Sequence, residues 1–493
     1  MINRKNPKRL QKKLSKSVPI ELPRGYRIKF ADQFAKILPF ALIVLLKKLF
    51  SSSEVSFTVE SVSFMTRANR SASVGRLHSA KKFSKVALFL LGKEIEASNR
   101  KKILEEIYNF LENRDNHEKC SDELFNVTKC LVNSSELSSQ TWYFLSKFMN
   151  TFGFLRAGFI CRNASISRRL ELSNGRIESN KEVEVTYRAF LEQNKLEQAR
   201  LFLKKEGYRT RGNSQETALL YLSMIEDPND KTLLNSNPLG IDENFFNLVN
   251  RKTIALVGTG ELDHDYGKEI DSAEVVIRLK FIGLNRLSEI REGGRCDVAQ
   301  YNNLIAQRMV LAETGSFSEV AGLAHIIDMA PGPNQRQDFA GIRVSNCPHY
   351  RLAYPEDDLT SGIRALIHIS FSGPKSLKLF GFNFYSEARE YSRTMTNYYE
   401  SMGWRIGDPT RLTGDNSANF FSRTAGHSIH DQLSGFCLAQ NLYLAGCFSM
   451  DGKGTEILSL KPFEYVERVE RLLRSMFASN RVEISRNRAV RGA

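Results

Sequence analysis

Between residues 80 and 235, apolar side chains recur at helical spacing, with few Gly or Pro to interrupt them. Three stretches, 86–112, 141–168 and 185–206, predict helix pairs. In the second, Trp142, Leu145 and Met149 share one helix face, and Ala157, Cys161 and Ala164 share the next. In the third, Tyr187, Phe190 and Leu191 precede Ala199 and Leu203. Pro, Asn and Asp then cluster over 227–241, as at a domain boundary. Beyond it the pattern shifts to short apolar runs. Strands are expected at 254–257, 274–279, 324–327 and 376–380, with a helix at 361–370. Alternating strands and helices predict an α/β, mostly parallel sheet with its site at the strand C-terminal ends.

The chain has 493 residues, with hydrophobic and charged fractions of 42% and 25%, so it is long enough for several domains and too apolar for wholesale disorder. Its net charge of +15 is concentrated at the ends. Residues 1–50 carry 13 Lys/Arg against 2 Asp/Glu, and residues 471–493 carry six Arg against one Glu. The 420 residues between them are nearly neutral. The apolar run 37–46 follows the basic arm. Ten residues reach about 15 Å as a helix, half a bilayer core, and Pro39 interrupts them. The arm is expected to lie on an anionic membrane face rather than to span it. A core helix behind a solvated tail is the simpler alternative. The seven Cys form no CxxC pair, so reduced, mostly buried thiols are expected. The predicted organisation is a basic, apolar arm (1–50), a linker (51–80), a helical module (81–238), a catalytic domain (239–470) and a basic tail (471–493). The helix pairs resemble a degenerate tetratricopeptide array, which suits a protein-docking role as well as a generic helical domain does.

Three blocks carry candidate chemistry. Lys252–Lys280 reads as a strand, a Gly258-Thr259-Gly260 turn and a second strand. Such a turn can offer backbone N–H groups to a phosphate. Asp263 stands where a dinucleotide fingerprint wants its third Gly, and Arg278 and Lys280 stand where it wants an acid. Thr360-Ser361-Gly362 opens a helix. These residues supply either N-cap chemistry or an anion site at the positive end of the dipole. The third block runs from Phe421 to Asp431 and holds His427 and His430, two of only 8 His. Histidine suits a general base at neutral pH.

In this order the blocks resemble the animal-type sialyltransferases. The large motif is matched by Val257-Gly258-Thr259, Gly267-Lys268-Glu269-Ile270-Asp271 and Arg278-Leu279-Lys280, followed by Gly294-Arg295-Cys296-Asp297. The small motif is matched from Thr360-Ser361-Gly362 to Phe380-Gly381-Phe382, and the third by Asn397-Tyr398-Tyr399-Glu400. The resemblance covers about residues 240–450. It implies a Rossmann-like catalytic domain that transfers a sugar from a CMP-sugar, with His430 as catalytic base and His427 as its rival. The implied donor-binding residues are Gly258, Thr259, Gly260, Lys280, Thr360, Ser361, Gly362, Gly381, Phe382 and Tyr399. There are departures. Thr259 and Lys280 replace the family's two Asn, Gly435 replaces the Glu after the His, and Ile254 and Gly373 stand near the places of its disulfide cysteines. Because bacterial and plant relatives of that family include transferases thought to use CMP-Kdo, the resemblance implies CMP-Kdo beside CMP-sialic acid as a donor. The missing disulfide points to a reducing compartment, hence a cytoplasmic enzyme peripheral to the inner face of a bacterial-type membrane rather than a Golgi one.

The expected acceptor is a glycan or glycolipid. No cofactor, metal or nucleic acid is called for. Asp263-His264-Asp265 resembles a metal-binding D-x-D but lies in the variable loop of the large motif. A nucleotide-dependent oxidoreductase and a non-catalytic helical scaffold are the competing readings.

Overall fold

The computed structural model describes residues 95–112, 116–134, 137–172, 180–205, 214–230, 232–301, 323–328, 343–355, 359–387, 392–395 and 431–475, together with 81, 84 and 397. The basic arm, the linker and the basic tail beyond 475 lie outside the described residues, as do His427, His430, Tyr398 and Tyr399. Among the described residues no helix is long and apolar enough to cross a membrane.

The first part is helical: α1 (Ala97–Glu112), α2 (His117–Ser134), α3 (Ser139–Thr151), α4 (Leu155–Leu172), α5 (Asn180–Glu192), α6 (Leu196–Lys205) and α7 (Ser214–Glu226). The α3–α4 and α5–α6 pairs fall in two of the stretches where helix pairs are expected. A Cβ on Gly158 of α4 would sit 3.2 Å from the Ser146 carbonyl of α3, so a small residue sets that close approach. Beyond α7, helix α8 (Glu243–Val249) leads into the sheet. Its strands are β1 (Thr253–Val257), β2 (Val275–Leu279), β3 (Val298–Tyr301), β4 (His325–Asp328), β5 (Arg343–Asn346), β6 (Ser376–Phe380) and β7 (Ser449–Met450). The order is β5-β4-β3-β2-β1-β6-β7, and every adjacent pair is parallel. The remaining helices are α9 (Gly267–Asp271), α10 (Glu289–Glu292), α11 (Ser361–Phe371), α12 (Gln432–Leu444), α13 (Gly452–Leu458) and α14 over 462–475.

All five residues of β2 are buried, as are four of the five in β1, because both sheet faces are covered. On one face Ile254, Leu256, Ile277 and Leu379 join the core shared with α11 and α12. On the other, Ala255, Val257, Val276 and Phe380 pack with Leu262 and Ile270. The core does not stop at 238/239. The first face's cluster runs from Ile95 through α1–α7 to Leu473, so the helices and sheet share one interior.

Polar contacts reinforce this join. Tyr221 donates its hydroxyl hydrogen to the Leu438 carbonyl (2.9 Å), and Asn441 donates to Leu191 (3.2 Å). Glu470 of α14 is buried and accepts from Ser121 (2.5 Å), the Arg156 N–H (2.7 Å), its Nε (2.9 Å) and Arg474 (2.8 Å). Burial alone would raise this carboxyl's pKa, but those donors hold it below its ordinary value. All seven cysteines are in the thiol form, and five are buried.

Candidate functional site

Strand order reverses beside β1, where β6 joins on the side opposite β2. In an open parallel sheet, the crevice at the strand C-termini is widest for a ligand at that switch. The turn leaving β1 (Gly258-Thr259-Gly260) and the turn leaving β6 (Gly381-Phe382-Asn383) meet there. They interlock through their backbones. Gly258 N–H donates to the Phe380 carbonyl (2.7 Å) and Gly260 N–H to the Gly381 carbonyl (2.9 Å). This corrects the expected role of the glycines: those two amides are engaged by β6 rather than turned to a phosphate. Glycine is needed for the close approach. A Cβ would lie 2.5 Å from the Gly381 oxygen at Gly258 and 2.7 Å from it at Gly260. Gly381 adopts φ +66° and donates to buried Asp451 (2.7 Å), which also caps α13 at Gly454. We expect Gly258→Ala to lower stability by about 1–3 kcal/mol, measured as a fall in the urea midpoint.

The second group forms around the start of α11. Thr360 occupies the N-cap position, but its hydroxyl makes no capping hydrogen bond. The local capping expected of it is therefore not made. Gly362 faces Phe382 and Leu279, and a Cβ there would lie 3.1 and 3.3 Å from those side chains. Gln300, on β3, donates Nε2 to the Ser361 carbonyl (3.0 Å). Its Oε1 is buried, with no partner among the described residues. Lys280, just past β2, donates its N–H to the Gln300 carbonyl (2.7 Å) and sits at φ +53°. Asn tolerates this left-handed conformation better than Lys does. Lys280, Gln300, Ser361-Gly362 and Phe382 are thus joined by hydrogen bonds and close packing near the C-terminal ends of β2, β3 and β6. Sequence reasoning passes over Gln300, because β3 reads only Val-Ala-Gln-Tyr.

No known family model and no curated protein matches this chain.

The residues that carry the large-motif resemblance form a brace behind the site. Buried Arg278 donates to the carbonyls of Arg295 (2.7 Å) and Glu292 (2.6 Å). Arg295 donates to the Asp271 and Ala273 carbonyls, and the Asp271 carboxylate accepts from the Gly294 and Arg295 N–H groups. Asp297 accepts from Val276 N–H (2.8 Å). Their role is to fix the β2–β3 connection. Asp263 of the D-x-D triplet lies near Tyr266 and the start of α13, where a Cβ on Gly452 would be 3.6 Å from its Oδ2. Among the described residues no group of three or more His, Cys, Asp or Glu gathers as a metal site.

Asp431, next in sequence to His430, is the one residue of that block among the described residues. Asp431 is buried, caps α12 by accepting from Ser434 N–H (3.1 Å), and pairs with Arg162 of α4 (2.8 Å). Arg162 also pairs with Glu192 of α5 and donates to the Tyr354 carbonyl (2.7 Å) and Ser434 Oγ (2.7 Å). Burial alone would lower the guanidinium pKa, but Asp431 and Glu192 outweigh it and hold the group charged. Three other histidines are core residues. His117 stacks on Phe154, and His368 stacks on Phe245 and hydrogen-bonds Tyr350. Burial drives their pKa values to about 4 and about 3. His325 pairs with Ser345 (2.7 Å).

Proposed function

We propose that the chain is an inverting glycosyltransferase that moves a 2-keto sugar acid, sialic acid or Kdo, from its CMP-activated form to a glycan hydroxyl. The supporting observation is the convergence at the β1/β6 switch. Lys280 from the large motif and Thr360-Ser361-Gly362 and Phe382 from the small motif are over a hundred residues apart at the extremes, yet gather near the C-terminal ends of neighbouring strands. The α11 N-terminus, not capped by Thr360, offers donors and a positive dipole end to the donor's carboxylate or phosphate. Buried Gln300 Oε1 adds an acceptor suited to a donor hydroxyl or the cytosine amine. Lys280 adds positive charge as the CMP phosphate takes up negative charge. His430 removes the proton from the attacking hydroxyl, and CMP leaves from the opposite face of the anomeric carbon. The basic ends hold the enzyme at the anionic inner face of a membrane. The helices before residue 238 retain the tetratricopeptide-like reading as a partner surface.

A donor screen tests this. With purified protein in EDTA, CMP-sialic acid or CMP-Kdo is expected to release CMP in an acceptor-dependent manner. A CMP leaving group carries less charge than a sugar diphosphate, so transfer should persist without divalent metal. Inertness toward both donors, or a strict Mg²⁺ or Mn²⁺ requirement, would count against the mechanism.

A further inference from the structure

Gln300 is a buried polar residue in the middle of the sheet. It sits on β3, in register with Leu279 of β2 and Ile327 of β4. Its amide has one workable orientation. Nε2 donates to the Ser361 carbonyl (3.0 Å), which has no hydrogen to give, so turning the amide over would set two oxygens against each other. Oε1 is thereby committed as an acceptor, and it has no partner among the described residues. A methionine or leucine would fill much the same space without burying an unpaired oxygen, which costs free energy. A donor that arrives with a ligand accounts for keeping it.

The surroundings say which end of the ligand brings that donor. Nε2 already touches the first turn of α11, so Oε1 lies beside the same turn. Ser361 and Gly362 are half-buried there, not covered. The first N–H groups of a helix and its positive dipole end draw an anion to that place. The hydrogen that meets Oε1 therefore sits close to the ligand's anionic group. In a CMP-sugar acid the cytosine amine lies at the far end of the nucleotide from the phosphate. Hydroxyls of the ribose and of the sugar acid are the donors nearest the phosphate and the carboxylate.

We infer that Gln300 is a specificity-determining residue of the donor site, accepting a hydrogen bond from a ligand hydroxyl that neighbours the anion held at α11. This rests on the transferase reading. A ligand without that hydroxyl leaves the buried oxygen unpaired again, and the site discriminates against it for that reason. The ribose and the sugar acid both offer such a hydroxyl, and binding measurements separate them.

CMP, its two analogues lacking one ribose hydroxyl, free sialic acid and free Kdo would be titrated by calorimetry or ligand-observed NMR into the wild-type protein and Gln300→Met. The variant should bind CMP or a sugar acid at least about fivefold more weakly. If the ribose supplies the hydroxyl, the wild-type protein should disfavour one deoxy analogue by a similar factor, and the variant should treat it like CMP. If the sugar acid supplies it, CMP and its analogues should bind alike in both proteins, and only sialic acid or Kdo should weaken. Without ligand, the thermal midpoint of Gln300→Met should equal or exceed that of the wild type, because the variant buries no unpaired oxygen. If Gln300→Met folds poorly, Gln300→Leu and the wild-type deoxy comparison serve instead. Equal affinities in wild type and variant for every ligand overturn the inference alone, and a lowered midpoint beside them makes Gln300 a structural residue. If the wild-type protein binds none of the five, the transferase reading falls and the inference with it.

Discussion

Arg162→Met is expected to destabilise the protein by about 3–5 kcal/mol, a large share of the margin of a typical domain. The guanidinium lies between the carboxylates of Glu192 and Asp431, all three groups being nearly inaccessible to water. Removing the one cation leaves two buried anions with no countercharge, which costs far more than the pair is worth in place. Arg162→Lys should fail as well. A single ammonium cannot reproduce planar contacts to Glu192, Asp431, Ser434 and the Tyr354 carbonyl at once. Urea unfolding would measure the loss. A double-mutant cycle with Glu192→Gln would test its cause, because removing one anion should recover part of the stability. A midpoint unchanged by Arg162→Met would mean that this network does not hold α4 and α5 to α12.

Under the proposed function, His430→Ala is expected to lower kcat for transfer by about 10²–10⁴-fold, the usual contribution of a general base. His427→Ala should leave kcat within a few fold. Both are read as CMP release at saturating donor and acceptor. The base must be unprotonated to act, so the acid limb of the wild-type pH profile should be missing from the residual activity of His430→Ala. The opposite ranking of the two variants would move the base to His427.

The elements legible in the sequence are those with a strong local signal. Strands β1, β2, β4 and β6 are found within a residue or so of the expected runs, and α11 lies on its apolar stretch. The pairs α3–α4 and α5–α6 are visible because large and small side chains alternate in phase with the helix. The strands β3, β5 and β7 give no such signal. The Arg-Val-Ser-Asn of β5 is largely exposed at a sheet edge, and β7 is two residues long. The site is partly legible. Short motifs pick out turns at strand ends, so Lys280, Thr360-Ser361-Gly362 and Phe382 stand out in the sequence. What the glycine amides bond to depends on a strand over a hundred residues away, and no local pattern encodes it. Gln300 and Arg162 escape notice for a related reason. A polar residue in a short strand and an arginine in a helix look like surface residues until the other elements close over them.

The Glu470 cluster bears on how the chain is made. Its partners Ser121 and Arg156 lie 349 and 314 positions earlier in the sequence. The first helices therefore emerge from the ribosome long before the carboxylate that completes their packing. At roughly 5–20 residues per second, some 15 to 70 seconds separate the two. During that interval the early helices present an unfinished apolar face, which favours chaperone capture over independent maturation. A nascent chain halted short of residue 470 should accordingly remain protease-sensitive throughout its helical part.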